Sequence, residues 1–291
     1  MEESPRFQAA SKLQQWLEKG GPMSVPEKKK KKKPTKRRGP PFVLMSEKVA
    51  IEGTEGNLTL RATAKLPAGT LIVAVANSCW LHVRSESVRH SEREAVEKAA
   101  TALRAGVTEM ARLATPLFDA KDPGRLELVL LLAKELLRGK SSRWYPYLQT
   151  LPSGEHAATP GLWGPLCSDH AAAELLQSTS IGALVSADAR NLDVAVSGMG
   201  GGETTSGDTG KGAPELWAFL GGGREEARQA MLRALGLVST RIVSGAGMVP
   251  LLDMLNGTVK GKHNATIEKS NLAESQAGGV GGVGGVGGGE G

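Results

Sequence analysis

The spacing of apolar residues changes along the chain from the period of a β-strand to the period of a helix. Leu58 and Leu60 alternate with polar residues, a turn follows at 67–69, and an apolar strand is predicted over 70–75. From Ser91 onward the apolar residues recur at helical spacing. Strands followed by a block of helices lack the alternation of a doubly wound fold. The pattern therefore excludes that class and predicts an α+β protein with small sheets.

Two helices are predicted in the block that follows the strands. The first opens with Ser91 and Glu94 at the spacing of a capping box. The second opens with Asp122 and Pro123, a cap followed by the residue suited to the first helical position. Its apolar run over 126–137 contains charged residues and is too short to cross a bilayer, so we expect a buried core helix and no membrane partner.

Positive charge is concentrated in one short segment. The formal net charge is +6, but nine of the 36 Lys and Arg residues lie between Lys28 and Arg38. The rest of the chain has 27 basic residues and the protein has 30 acidic residues. The rest of the chain is therefore mildly acidic, without general affinity for phosphate. The run over Lys28 to Arg38 is typical of a contact for a nuclear import receptor or for nucleic acid. A disordered low-complexity insertion without a role explains it equally well.

Several other site classes are excluded by composition and spacing. Cys79 and Cys167 are too few for a disulfide framework or a Cys-rich zinc site, which indicates reduced thiols in a nuclear or cytoplasmic protein. The N-terminus lacks the apolar stretch of a secretory signal. The histidines form no metal-binding pair, and the Gly-rich stretch over 197–213 departs from phosphate-loop spacing and predicts a flexible linker.

Polar residues lie on an apolar run near the C-terminal part of the chain. Ser239, Thr240 and Arg241 precede the sequence VPLLDMLNG, which carries Asp253 and Asn256. Polar groups on an apolar scaffold are typical of small-ligand sites. Spacing alone, however, favours Asp253 and Asn256 as helix caps.

Through these and neighbouring residues the chain resembles the SET-domain protein-lysine methyltransferases, in the subclass of the Rubisco large-subunit methyltransferase and related ribosomal-protein and histone enzymes. Residues 7–20 resemble its opening helix, 58–75 its first SET hairpin, and 77–81 the segment after it. SSRWYPYLQTLP over 141–152 is similar to the signature S-x-W-x-x-Y-L-x-x-L-P. Ser-Thr-Arg at 239–241 resembles the Ser-Arg motif, and VPLLDMLNG resembles P-x-x-D-x-x-N-H.

The resemblance implies methyl transfer from S-adenosylmethionine to a lysine side chain of a protein substrate such as a ribosomal or histone protein, without a metal. Arg241 would face the carboxylate of the cofactor, since a guanidinium pairs well with a carboxylate. Asp253 and Asn256 would hold its methionyl and adenine end. The full set of cofactor-binding residues that the resemblance implies is Asn57, Leu58, Thr59, Thr240, Arg241, Asp253, Asn256 and Gly257.

This sequence departs from the family pattern in three places. Thr59 replaces the second Gly of a Gly-x-Gly, which predicts a backbone crowded against the cofactor. Gly257 replaces the family's His. After Ile267 the sequence passes into a Gly-Val repeat without the final SET strands and their catalytic tyrosine, so no catalytic residue is assigned. Tyr145 and Tyr147 fall in the helical insertion, and Tyr145 is expected to be a packing residue.

The fold implied is a SET-domain β-fold of small sheets, split by a large α-helical insertion and missing the C-terminal part of the SET core. Two alternatives remain open: a non-catalytic SET-derived binding module or truncated methyltransferase, and a nucleic-acid-associated protein acting through the basic run. We expect an N-terminal helix over 1–22, a basic disordered insertion over 23–45, the SET hairpin over 46–83, the helical insertion over 84–213, an incomplete C-terminal SET portion over 214–270, and a disordered Gly-rich tail over 271–291.

Overall fold

The computed structural model describes residues 5–19, 21–23, 43–54, 57–105, 123–151, 213–243 and 247–254. These residues form six α-helices and two small antiparallel sheets, so the α+β class is confirmed. The elements are α1 (Pro5–Glu18), β1 (Val43–Met45), β2 (Val49–Thr54), β3 (Asn57–Ala62), β4 (Val73–Val75), α2 (His90–Ala105), α3 (Pro123–Arg138), α4 (Tyr145–Leu148), α5 (Ala213–Leu220) and α6 (Arg224–Arg241).

The strands pair differently from the hairpin predicted over 58–75. β3 pairs with β2, and β4 pairs with β1 through Val43 and Val75. β2 and β3 are separated by two residues in the sequence, whereas 63–72 intervenes between β3 and β4. The shorter connection closes at lower entropic cost, which favours β2 as the partner of β3. Only the last three residues of the strand predicted over 70–75 are β-structure.

β1 corrects the N-terminal boundary of the first sheet region. Its residues fall within 23–45, where a disordered insertion was expected, yet they form a strand against β4 and Val43 is buried. Burial of the apolar Val43 side chain in the core stabilises the strand. The basic run over Lys28 to Arg38, the Gly-rich stretch over 197–213 except its last residue, and the predicted tail over 271–291 lie outside the described residues.

α3 is a deeply buried helix. Its side chains at Leu126 and 128–133 are almost fully shielded from solvent, and it packs mainly against α6 and also against α2. A long, nearly continuous apolar stretch is typical of a helix at the centre of a domain. The prediction of a core helix is confirmed. Within the described part of the chain, no helix is long and apolar enough to cross a membrane.

α2 begins two residues earlier than the capping box predicted, since Ser91 as N-cap would place the first helical residue at 92. Its first residue is His90, so Ser91 lies inside the first turn and is not the N-cap. The carboxylate of Glu94 lies 3.2 Å from His90 Nε2 across one turn of the helix. At α6 a capping carboxylate is present, because Glu226 Oε2 accepts a hydrogen bond from the Gly223 N–H at 3.3 Å.

A largely buried ionic cluster joins α2, α3 and the segment that leads into α4. Glu92 accepts hydrogen bonds from Arg138 at 3.0 Å and from Arg143, and Lys134 Nζ lies 3.9 Å from it. Glu135, which is fully buried, also pairs with Arg138. A buried carboxylate is costly unless it is paired and hydrogen-bonded. These contacts therefore fix the relative position of the helices.

Candidate functional site

Three side chains from distant parts of the sequence meet at one end of α6. Arg241 is the last residue of that helix, Asp253 lies in the 3-10 turn Leu252–Met254, and Tyr147 lies on α4. The same turn packs against β3, the strand that carries Leu58 and Thr59. The fold thus brings together residues from the motifs that the resemblance selected at 58–75, 141–152, 239–241 and 249–257.

The guanidinium of Arg241 contacts both the backbone and the side chain of Asp253. Arg241 Nη1 donates a hydrogen bond to the Asp253 carbonyl oxygen at 3.1 Å and lies 3.6 Å from Asp253 Oδ2. A cation in the last turn of a helix is also favoured by the helix dipole. Thr240 is not part of this cluster. It is exposed, and its hydroxyl bonds back to the carbonyl oxygen of Gly236 at 3.0 Å.

The Asp253 carboxylate is buried, with 1% of its side chain exposed. Its Oδ2 accepts a hydrogen bond from the Tyr147 hydroxyl at 2.8 Å, whereas its Oδ1 has no hydrogen-bond partner among the described residues. Burial raises the pKa of Asp253 from 3.8 to about 6, although Arg241 and Tyr147 both act to lower it. These partners belong to other elements, so the contacts of Asp253 are tertiary and go beyond the helix-cap role that spacing alone favoured.

Tyr147 is fully buried and keeps its proton. Burial raises the pKa of its hydroxyl well above the usual value of 10, and the neighbouring Asp253 carboxylate raises it further. The hydroxyl is therefore a donor at every physiological pH. Tyr145, two residues earlier, is half-buried, and its hydroxyl accepts a hydrogen bond from Gln149 Nε2 at 3.0 Å.

Tyr147 is the residue of this cluster to which sequence reasoning gave no role. A signal was available, because Trp144, Tyr147 and Leu148 have the i, i+3, i+4 spacing of one helix face, which indicates that Tyr147 is buried. A buried tyrosine hydroxyl normally finds a hydrogen-bond partner. The sequence does not reveal which residue that partner is.

The backbone leading to Asp253 is held in an unusual conformation. Leu251 has φ of 72°, the one positive value for a residue other than glycine in the described part of the chain. Such a conformation costs about 1–2 kcal/mol and is maintained only where contacts with the surrounding structure enforce it. Leu81 and Met248 form an antiparallel bridge with N···O distances of 2.9 and 3.1 Å, which anchors the segment.

Of the other predicted site residues, three lie in the β2–β3 hairpin and two lie outside the described residues. Leu58 is buried, and its backbone pairs with Gly53 across the β2–β3 hairpin. Thr59 is half-buried, and Asn57 pairs with Thr54 at the end of the same hairpin. Asn256 and Gly257 lie outside the described residues.

The Arg241 guanidinium lies next to the buried Asp253 carboxylate, so both signs of charge lie within a few ångströms, and Asp253 Oδ1 has no hydrogen-bond partner in the described part of the chain. This arrangement is complementary to a zwitterionic amino-acid group, whose carboxylate would pair with the guanidinium and whose ammonium would donate to Oδ1. Among the described residues there is no group of three His, Cys, Asp or Glu side chains that could hold a metal ion.

Comparison of the chain with models of known protein families, with curated proteins and with solved structures gives no match. The functional interpretation therefore depends on the motifs and geometry of this chain alone.

Proposed function

We propose that the chain is a SET-type protein-lysine N-methyltransferase that uses S-adenosylmethionine. The proposal depends above all on one observation, the contact of Arg241 with Asp253. These residues come from two different motifs that resemble the family's cofactor-binding motifs. The turn that carries Asp253 also packs against β3, where the third motif lies. Convergence of separate motifs on one site supports a shared ligand more strongly than any single motif does.

The finer fold assignment is part of the same proposal. Two small antiparallel sheets precede α2, α3 and α4, and Met248 then returns the chain to the sheet region through its bridge to Leu81. This order supports a SET core split by a helical insertion. The strand pairing of β1 with β4 is compatible with a core made of several short sheets.

The residues present suit the amino-acid end of the cofactor. Arg241 would bind its carboxylate, and Asp253 Oδ1 would accept a hydrogen bond from its amino group. A buried acceptor without a donor costs free energy, and a bound ammonium group would remove that cost. When bound, the cofactor supplies an electrophilic methyl group on a sulfonium.

The contribution of the protein to the reaction is binding and alignment. A lysine amine with its usual pKa near 10.4 is mostly protonated at neutral pH, so the site must accept the neutral amine and hold it in line with the methyl group. Tyr147 is engaged by Asp253, and we assign it no proton transfer to the substrate.

The first experiment is calorimetric titration of the full chain with S-adenosylmethionine and, separately, with its demethylated product. Arg241→Ala should weaken binding about tenfold or more, the loss expected for a hydrogen bond between charged groups. Arg228→Ala is the matched control, because Arg228 lies on the same helix and pairs with Glu225. It should bind like the wild type. A folded wild-type chain that binds neither compound would contradict the proposal.

A second assay separates the enzyme from a binding module. Transfer of a radiolabelled methyl group to ribosomal proteins or histones would support the enzyme, and cofactor binding without transfer would support a non-catalytic SET-derived module. Nucleic-acid binding that weakens with salt and disappears on deletion of Lys28 to Arg38, in a chain that does not bind the cofactor, would support the remaining alternative.

A further inference from the structure

Tyr147 and Asp253 form a direct link between the helical region and the turn that carries the proposed cofactor-binding carboxylate. The Tyr147 hydroxyl donates to Asp253 Oδ2 at 2.8 Å, and both side chains are buried. A hydrogen bond to a carboxylate in a buried environment is stronger than one between neutral groups. The contact therefore influences both the orientation and the charge of Asp253.

The segment that carries Tyr147 is itself fixed by hydrogen bonds. Ser142 Oγ donates to the buried Glu135 at 2.5 Å and accepts from the Trp144 N–H at 3.0 Å. Trp144 is fully buried, and its carbonyl oxygen accepts from the Leu148 N–H at 2.9 Å. α1 packs against the same segment. These contacts hold the backbone on either side of Tyr147 in place and so fix the position of its ring.

The two oxygens of Asp253 have different surroundings. Oδ2 faces both Tyr147 and Arg241, and Oδ1 has no partner among the described residues. The third element packed against the turn, β3, carries one charged side chain, Arg61, which is exposed and pairs with Glu52 at 3.0 Å. The charged and titratable groups that face Asp253 from these elements are therefore Arg241 and Tyr147.

We propose that Tyr147 is a positioning residue of the cofactor site: by occupying Oδ2 it holds the Asp253 carboxylate charged and oriented, with Oδ1 free for the cationic amino group of S-adenosylmethionine. This inference rests on the proposed function. The hydrogen bond from Tyr147 lowers the pKa of Asp253, so its removal should raise that pKa above about 6. Loss of a hydrogen bond to a charged group is expected to raise the pKa of Asp253 by about one pH unit.

The test is the pH dependence of S-adenosylmethionine affinity in the wild type, Tyr147→Phe and Tyr145→Phe. If binding requires charged Asp253, Tyr147→Phe should bind about fivefold more weakly at pH 6 but less than twofold more weakly at pH 8.5. Tyr145→Phe removes the same hydroxyl group two residues away and should stay within about twofold of the wild type throughout. No loss at pH 6, or a loss at pH 8.5 as large as the loss at pH 6, would overturn the role of Tyr147 in holding Asp253 charged.

A second measurement does not depend on cofactor binding or on the folding of Tyr147→Phe. In Tyr145→Phe, Tyr147 is the one tyrosine in the chain, so its Cζ signal in a carbon NMR spectrum is unambiguous. That signal should shift with a midpoint near pH 6 as Asp253 gains its proton. A signal that does not change between pH 5 and 7 would overturn the link. A midpoint near 6 in a chain that fails to bind the cofactor would contradict the proposed function and leave the link intact.

Discussion

The Tyr147 hydroxyl lies 2.8 Å from Asp253 Oδ2, although 106 positions separate the two residues in the sequence. One belongs to the helical region and the other to the motif that follows α6. Their contact, together with that of Arg241, means that the helical region contributes directly to the proposed cofactor site. A substitution in either region should therefore alter the other.

The buried carboxylate of Asp253 should make stability depend on pH. Because burial raises its pKa from 3.8 to about 6, the folded protein binds the proton more tightly than the unfolded chain does. The stabilisation from this group is fully present below pH 3.8 and is lost as the pH rises through 6. The loss is on the order of 3 kcal/mol. Urea unfolding of the wild type and Asp253→Asn from pH 3.5 to 7 measures it, since the variant lacks this titration. A stability difference that does not change with pH would contradict the prediction.

Glu92 should be a major contributor to the stability of the helical region. Glu92→Gln removes the charge that Arg138, Arg143 and Lys134 share, and breaking such a buried network costs about 3–5 kcal/mol. Denaturant unfolding gives the free-energy change. Glu94→Gln on the same helix is the control, because Glu94 is exposed and should change stability by less than about 0.5 kcal/mol. Equal effects of the two substitutions would show that the buried network contributes little.

Gly247 should not tolerate a side chain. Its φ is +89°, and a Cβ atom there would lie 2.6 Å from the Leu81 carbonyl oxygen and 2.9 Å from His82 Cβ. Gly247→Ala should therefore cost more than the roughly 1–2 kcal/mol of the conformation alone, because it also disrupts the bridge between Leu81 and Met248. Gly69→Ala isolates the conformational part, since Gly69 has φ of +78° with nothing within 4 Å of its Cβ position. Thermal unfolding compares the two, and a larger loss at Gly69 would refute the explanation.

Ser239, the serine of the Ser-Thr-Arg motif, should act on stability through Arg125. Arg125 Nη2 donates to Ser239 Oγ at 2.7 Å and so ties α3 to α6. Ser239→Ala should cost about 1–3 kcal/mol, because it leaves a partly buried guanidinium without this acceptor. Thr240→Ala should cost less than about 1 kcal/mol, since the exposed Thr240 hydroxyl bonds only within its own helix. Chemical denaturation of both variants tests the contrast.

Local patterns predicted α1, α2 and α3. The apolar run over 126–137 indicates a core helix because so long an apolar stretch has to be buried. The break between α5 and α6 follows from three successive glycines, two of which, Gly221 and Gly222, adopt positive φ. A start signal such as Ser91 with Glu94 is weaker, and the helix begins one residue before it. The interactions behind these features lie within a few residues of the sequence.

The sequence by itself determined the α+β class and the core helix, and it predicted which residues form a ligand site. Only the tertiary structure decided that β4 pairs with β1, that Arg241 and Asp253 touch, and that Tyr147 joins them. The reason is physical: periodicity specifies which face of an element is buried, but it does not specify which other element covers that face. Partners more than 100 residues apart in the sequence meet only when the whole core packs.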